Sequence, residues 1–330
     1  MKPLAFLESC KLSVSFYDSS VHSSAMHKLK KVTLFTGFVM ACFILAAFVY
    51  TGGPTFKQIY SARSTDDMLF HRYRNCLLDE IRLSRPFEVW LMSADVTKRC
   101  QRDTDLLSRL PLMPLENNDE TKYVLGVPPV LEAGDECNVV TLGVGNDTMS
   151  EVALSQMIPS SCRFYGADPV VEGNEQLYSR IGTFFPYAVA ATTGFRMASV
   201  LDMNTGLYTL VNISHIDLIT FLRQHAKVQI VDYLLMDSES SEFDMLPFFL
   251  PCGLLDQNNI TVCQWTCEFH DINDIASKRQ FADFLWENTM SGRYLPMNFI
   301  DVGHIRATLI NYQDELCVRR YIRQRRAGNS

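Results

Sequence analysis

Val139-Val140-Thr141-Leu142-Gly143-Val144-Gly145-Asn146-Asp147 is an apolar run that ends in a Gly-x-Gly turn, and Tyr165-Gly166-Ala167-Asp168 follows about twenty residues later. Glycines in such a turn let the backbone approach a ligand more closely than any residue with a Cβ would. An acid at the tip of the next strand can accept hydrogen bonds from ribose hydroxyls. The pair predicts a nucleotide-like cofactor. Taken alone, the same Gly-x-Gly also makes an ordinary tight turn from strand to loop.

Outward from this stretch, apolar strands alternate with helical or polar segments. Strands are predicted over 138–142, 163–167, 185–189, 229–236, 260–268, 299–302 and 308–312, and helices over 149–158, 213–225, 244–250 and 276–288. Buried strands separated by helices predict an α/β fold, a mainly parallel, doubly wound sheet with helices on both faces. In such sheets ligands bind beyond the carboxyl ends of the strands, at the point where strand order reverses. The Gly143-Val144-Gly145 turn, Asp168 and Asp237 all fall at predicted strand ends.

Before this core, residues 111–135 carry Pro111, Pro114, Pro128 and Pro129 and an acidic patch over 116–120, and read as a connecting loop. From Met68 to Leu110 apolar residues recur at helical spacing, as in Leu69, Tyr73, Leu77, Leu78 and Ile81, which predicts helical packing or a cap. Residues 52–67 have little periodicity and read as a short stem, so that stem and cap together occupy 51–119.

No charged residue lies between Lys31 and Lys57, and sixteen of the nineteen residues from Val32 to Tyr50 are apolar. At about 1.5 Å per residue a helix of that length spans the hydrocarbon core of a bilayer. The apolar stretch exceeds the h-region of a cleaved signal peptide and is preceded by about thirty residues, so a signal anchor over 32–50 is predicted. Lys2, Lys11, Lys28, Lys30 and Lys31 precede it, which keeps residues 1–31 in the cytosol and makes the remainder lumenal or extracellular.

The formal net charge of −7 argues against a general nucleic-acid binder, which carries clustered positive charge. The one basic cluster, Arg319, Arg320, Arg323, Arg325 and Arg326, reads as a solvated tail over 316–330. Eight of the ten cysteines lie beyond the membrane segment, a number that permits disulfides or buried thiols. Cys263-x-x-x-Cys267 has no second metal-type pair, and no metal is predicted. Glycosylation sequons stand at Asn146, Asn212 and Asn259, of which Asn146 sits in the cofactor turn, leaving Asn212 and Asn259 as the acceptors.

The order of motifs carries a family resemblance. Val140-Thr141-Leu142-Gly143-Val144-Gly145-Asn146 is followed by Phe164-Tyr165-Gly166-Ala167-Asp168-Pro169 and Pro186-Tyr187-Ala188-Val189. Further on stand Leu234-Leu235-Met236-Asp237-Ser238-Glu239-Ser240-Ser241-Glu242 and Cys267-Glu268-Phe269-His270. Over about residues 120–315 this resembles the FkbM-type methyltransferases, which use S-adenosylmethionine on a seven-stranded Rossmann-like sheet. The resemblance implies that Leu142, Gly143, Gly145, Asn146, Asp168 and Pro169 bind the cofactor, with Asp168 on the ribose hydroxyls. It also implies catalytic roles for Asp237, Glu239 and His270: Asp237 orienting the acceptor or taking its proton, His270 acting as a base near neutral pH. Thr141 stands where the family has an acid, and the last glycine of its first motif is missing.

Each site residue has a structural alternative. Asp237 or Glu239 can cap the next helix or pair with an arginine, Glu242 can be a solvated or helix-terminal acid, and His270 can be a hydrogen-bonded structural histidine. Among the aromatics, Phe184, Phe185, Phe248 and Phe249 read as core and Trp265 as a residue placed to line a pocket. The chain as a whole predicts a single-pass protein of the Golgi or endoplasmic reticulum that methylates a hydroxyl of a small molecule or glycan. S-adenosylmethionine is charged, so a lumenal enzyme needs it transported. Two other readings compete. A type II glycosyltransferase would hold a divalent ion on Asp237-Ser238-Glu239, and a non-catalytic module would have given up the cofactor along with the acid at 141.

Overall fold

The computed structural model describes residues 56–126, 131, 134–202, 207–270 and 273–323. The predicted membrane anchor and cytosolic tail lie outside these residues, as do Pro128, Pro129, Arg325 and Arg326. No helix of the described residues is long and apolar enough to cross a membrane. The chain divides into two units, 1–68 and 69–330. Of the first, only the opening of helix α1 (Phe56–Ile81) is described. No Gly or Pro lies between Pro54 and Pro86, so nothing stops that helix, and it occupies most of the predicted stem. Its stripe Leu69, Tyr73, Leu77 and Ile81 is buried as the spacing predicts. Helix α2 (Pro86–Thr104) opens with proline at its first position, and the Cys76–Cys100 disulfide ties it to α1.

The second unit is built on a seven-stranded sheet of β3 (Asn138–Leu142), β4 (Arg163–Ala167), β5 (Thr183–Phe185), β9 (Ile230–Met236), β10 (Thr261–Phe269), β11 (Tyr294–Asp301) and β12 (Ile305–Asn311). Its order is β11-β12-β10-β9-β3-β4-β5. The five strands from β5 to β10 run parallel, whereas β12 is antiparallel to both β10 and β11. All five residues of β3 are buried, as a central parallel strand requires. The chain leaves β3 towards β4 on one side, and β9 lies on the other, so order reverses between β3 and β9. Helices α4 (Glu242–Phe249) and α5 (Ile275–Ser291) cover one face, and α3 (Met149–Met157) with the part of α1 from Leu69 on covers the other. Side chains of β9 alternate between them: Leu234 and Met236 join the first core, Tyr233 and Leu235 the second.

Besides the helical stem, the fold departs from the sequence reading in four places. First, β6 (Ala188–Ala190), β7 (Gly194–Asp202) and β8 (Leu207–Asp217) form a separate sheet of order β6-β8-β7. A single strand over 185–189 and a helix from 213 were predicted there. Pro186 interrupts the first, and the β-branched Thr209, Val211, Ile213 and Ile216 favour strand in the second. The helix starts only at Leu218, where the Asp217 carboxylate accepts from Thr220 N at 2.8 Å. Second, the predicted loop 111–135 contains a hairpin, β1 (Leu112–Glu116) and β2 (Thr121–Leu125). Its turn is closed by Asn117, whose side chain accepts from Glu120 N at 2.7 Å.

Third, the described part of the basic tail is not solvated. Residues 318–323 form a wide helical turn in which Val318, Tyr321 and Ile322 are buried, and Cys317 is disulfide-bonded to Cys263. Arg320 is buried with its guanidinium 2.6 Å from Asp232 Oδ1, which also accepts from the Tyr321 hydroxyl at 2.7 Å. Fourth, Trp265 lines no cleft. It is fully buried and stacks on Phe249 with ring centroids 3.9 Å apart. A third disulfide, Cys137–Cys162, joins the starts of β3 and β4, and Cys267 is a buried free thiol.

Candidate active site at the carboxyl ends of β3, β4 and β9

The glycine turn is shaped by its neighbours. Gly143 has φ of 85°, and a Cβ there would stand 1.8 Å from the carbonyl oxygen of Asp237. Only glycine lets the end of β3 pass this close to the end of β9. Gly145 has φ of 60° and nothing within 4 Å of its would-be Cβ, so it opens onto space. Asn146 follows in the left-handed region at φ 58°. Asp168, at the end of β4, holds this turn in place. Its Oδ2 accepts from Val144 N at 2.8 Å and Gly145 N at 3.1 Å, and its Oδ1 from Val170 N at 2.8 Å. Burial pushes the Asp168 carboxyl above its usual range, against these amides and Asn174, which favour the charged form. Asn174 in turn accepts from Asn146 N at 2.7 Å.

Thr141 is part of a buried relay. It accepts from the Tyr178 hydroxyl at 3.1 Å and donates to Glu151 Oε1 at 3.0 Å. An acid from α3 therefore stands beside the position where the resemblance leads one to expect an acid on β3.

These elements enclose a cleft at the carboxyl ends of the strands. Gly143, Gly145, Asn146, Asp168, Pro169, Asp237 and Glu239 line it. Of the predicted cofactor residues only Leu142 stays out of it. Leu142 is buried in the core, and its carbonyl accepts from Asp237 N at 2.8 Å, which fixes the end of β9 against β3. The sequence reading assigned no lining role to the opposite wall, Tyr187, Val189, Ala198, Ile213 and His215, because all of it but Tyr187 comes from the small sheet. Burial lowers the pKa of His215, assisted by Arg196 and opposed by the bond from its Nδ1 to Ile213 O.

Beside this cleft the tips of β9 and β10 bring the predicted catalytic residues together. His270 Nδ1 lies 3.1 Å from Glu242 Oε1, while its Nε2 faces Asp237 Oδ1 at 3.5 Å and Glu239 Oε2 at 3.7 Å. Glu268 Oε1 is 3.9 Å away, but its Oε2 is held by Arg306 at 2.8 Å. Glu239 and Ser240 take positive φ of 48° and 77°, which turns the loop back over the strand ends. Glu242 is neither solvated nor merely helix-terminal; it is fully buried and accepts from Ser238 N at 2.9 Å. Burial opposes charge on His270, but the Glu242 bond and the fields of Glu242, Asp237 and Glu239 outweigh it and hold its pKa at about 9. With no cation bound between these groups, the carboxylates favour its protonated form over the free base the sequence predicts. Burial raises Asp237 to about 7, with His270 pulling the other way.

A sheet of this order, with a glycine turn, an acidic second strand end and a cleft at the switch point, is the frame of a Rossmann-like α/β methyltransferase. Residues 108–316 match the methyltransferase FkbM domain, and the chain belongs to that family. A solved Clostridium thermocellum protein assigned as an rRNA methylase is similar at 10% identity and a TM-score of 0.30, over 54% of this chain and 88% of that one. No curated protein matches the chain in sequence.

Proposed function

We propose that the chain is an S-adenosylmethionine-dependent O-methyltransferase acting on a hydroxyl of a small molecule or glycan in the lumen of the secretory pathway. One observation carries this reading: the open Gly145 position and the acidic tip of β9 line the same switch-point cleft. Besides Leu142, which stays in the core, the fit to the cofactor differs from the expectation at Asp168. A carboxylate offers about four acceptor positions, and three of those on Asp168 are taken by backbone amides. With Asn174 also favouring its charged form, Asp168 acts first by shaping the turn, and a ribose hydroxyl would share the carboxylate with these donors. Tyr187, Val189, Ala198 and Ile213 offer the apolar wall that a purine needs.

Bound in the cleft, S-adenosylmethionine supplies a methyl group activated by its sulfonium. Asp237 and Glu239 would hold the acceptor hydroxyl at the mouth, and the cluster they form with His270 takes its proton. The Cys76–Cys100, Cys137–Cys162 and Cys263–Cys317 disulfides support an oxidising compartment, in keeping with the apolar segment 32–50 as a type II anchor. Asn212 and Asn259 are exposed, as glycan acceptors must be.

Calorimetric titration of S-adenosylmethionine into the full chain in detergent tests the cofactor assignment. We expect saturable binding that weakens at least tenfold in Asp168→Ala. Equal binding by the variant overturns the Asp168 assignment, and no heat or thermal shift at millimolar cofactor overturns the enzyme in favour of a non-catalytic module. Transfer of labelled methyl to a glycan or small-molecule pool identifies the acceptor. Protease protection in intact vesicles tests the topology; digestion of the large C-terminal part without detergent overturns the lumenal placement.

A further inference from the structure

We propose that Asp237, Glu239 and His270 bind one divalent cation of the Mn²⁺, Fe²⁺ and Zn²⁺ class at the mouth of the cleft, a site no part of the sequence reading assigns to His270. One ligand atom from each of these three side chains can be chosen so that all lie within 4.8 Å of one another. Ligands about 2.0–2.2 Å from one ion sit roughly 3 Å or more apart, so small side-chain rotations close the cage. His270 Nε2 lies 3.5 Å from Asp237 Oδ1 and 3.7 Å from Glu239 Oε2, separations of groups arranged around a shared point rather than bonded to each other.

Two independent features indicate an ion. The first is the orientation of the imidazole. Glu242 holds Nδ1 at 3.1 Å and so presents Nε2 to Asp237 and Glu239. A ligating histidine almost always gives its other ring nitrogen to such a carboxylate, which fixes its tautomer and orientation. The second is a pair of buried oxygen atoms left without a hydrogen bond, Asp237 Oδ1 and Glu242 Oε2, the latter on a side chain with no solvent exposure. Buried acceptors in that condition are uncommon and costly. An ion at the cluster satisfies Asp237 Oδ1 directly.

The neighbouring set Glu120, Asp237 and Glu268 is a weaker host. Glu268 and Glu120 already face Arg306 at 2.8 and 3.5 Å, and Glu120 also pairs with Lys122. One imidazole with two carboxylates suits borderline cations better than Mg²⁺ or Ca²⁺. The binding site stands on this geometry alone. A part for the ion in orienting the acceptor hydroxyl rests on the proposed methyl transfer.

Metal-stripped full-length protein, in detergent and without S-adenosylmethionine, is titrated with Mn²⁺ while the free ion is followed by electron paramagnetic resonance. The expected result is one Mn²⁺ per chain, displaced by Zn²⁺ and not by equimolar Ca²⁺. Glu239→Gln and His270→Gln each weaken binding at least tenfold, and Glu242→Gln, which leaves all three ligands in place, weakens it about 10- to 100-fold. Asp283→Asn, an exposed acid on α5, leaves it unchanged. Circular dichroism and the melting midpoint report that each variant is folded, and Glu239→Gln alters a partly exposed side chain. Two results overturn the site: no binding by folded protein at millimolar Mn²⁺ or Zn²⁺, or undiminished binding in the Glu239→Gln/His270→Gln double variant. Cofactor affinity is measured separately on the metal-free protein, so its absence strikes the methyltransferase reading and leaves the cation site standing.

Discussion

Gly143 takes a left-handed conformation with the Asp237 carbonyl where a Cβ would be. The strain of a non-glycine residue at such a position costs roughly 1–3 kcal/mol, and here the clash is with backbone. Gly143→Ala should therefore lower the unfolding free energy by at least about 2 kcal/mol, read from the denaturant midpoint, and weaken cofactor binding with it. His215 gives a pH dependence. Its folded pKa lies below the unfolded value of about 6.5, so its neutral form belongs to the native state. Stability from this group is full above about pH 6.5 and falls as pH drops below it. Thermal melts between about pH 7.5 and 5 should show that loss, and His215→Asn should flatten it; an unchanged slope refutes the assignment. At this scale the sequence made the glycine turn and Asp168 legible, because they depend on local backbone chemistry. It could not show that three amides occupy Asp168, since their positions follow from how β3 and β4 end side by side.

Among the elements, the strands of the parallel sheet were readable from their apolar runs, and β3 and β4 fall at the predicted residues. The β7–β8 hairpin was not. A segment such as Ile213-Ser214-His215-Ile216-Asp217 runs directly into a helix, and the shared run hides the change of period until the Asp217 cap is seen. That hairpin supplies Ala198, Ile213 and His215 to one wall of the cleft, and that part of the lining went unseen with it. The C-terminal turn was misread because arginines usually mark solvated chain ends, whereas Cys317 pins this one to β10. The Cys263–Cys317 bridge closes a span of 54 residues, for which the chain-entropy estimate is about 4 kcal/mol. Cys263→Ser/Cys317→Ser should lose stability of that order in urea unfolding. A loss below about 1 kcal/mol would mean that the turn docks without its bridge.

At the scale of the whole unit, Asp232 ties β9 to two distant segments: Arg320 and Tyr321 from the C-terminal turn, and the backbone N of Asn138 at 3.0 Å from the start of β3. Removing one partner of a buried ion pair leaves an uncompensated charge. Arg320→Ala should therefore cost roughly 3–5 kcal/mol, while Arg323→Ala, at an exposed pair with Glu315, should cost under about 1 kcal/mol. Parallel denaturation curves of the two variants check this, and equal losses would contradict it. By itself the sequence determined the α/β class, the strand bearing the ligand turn and the acids at the strand ends, since hydrophobic period and turn chemistry are local properties. Only the tertiary structure decided which acids meet His270, which of them are buried, and what closes the far side of the cleft. Those are properties of contact between strands far apart in the chain, and no local pattern encodes them.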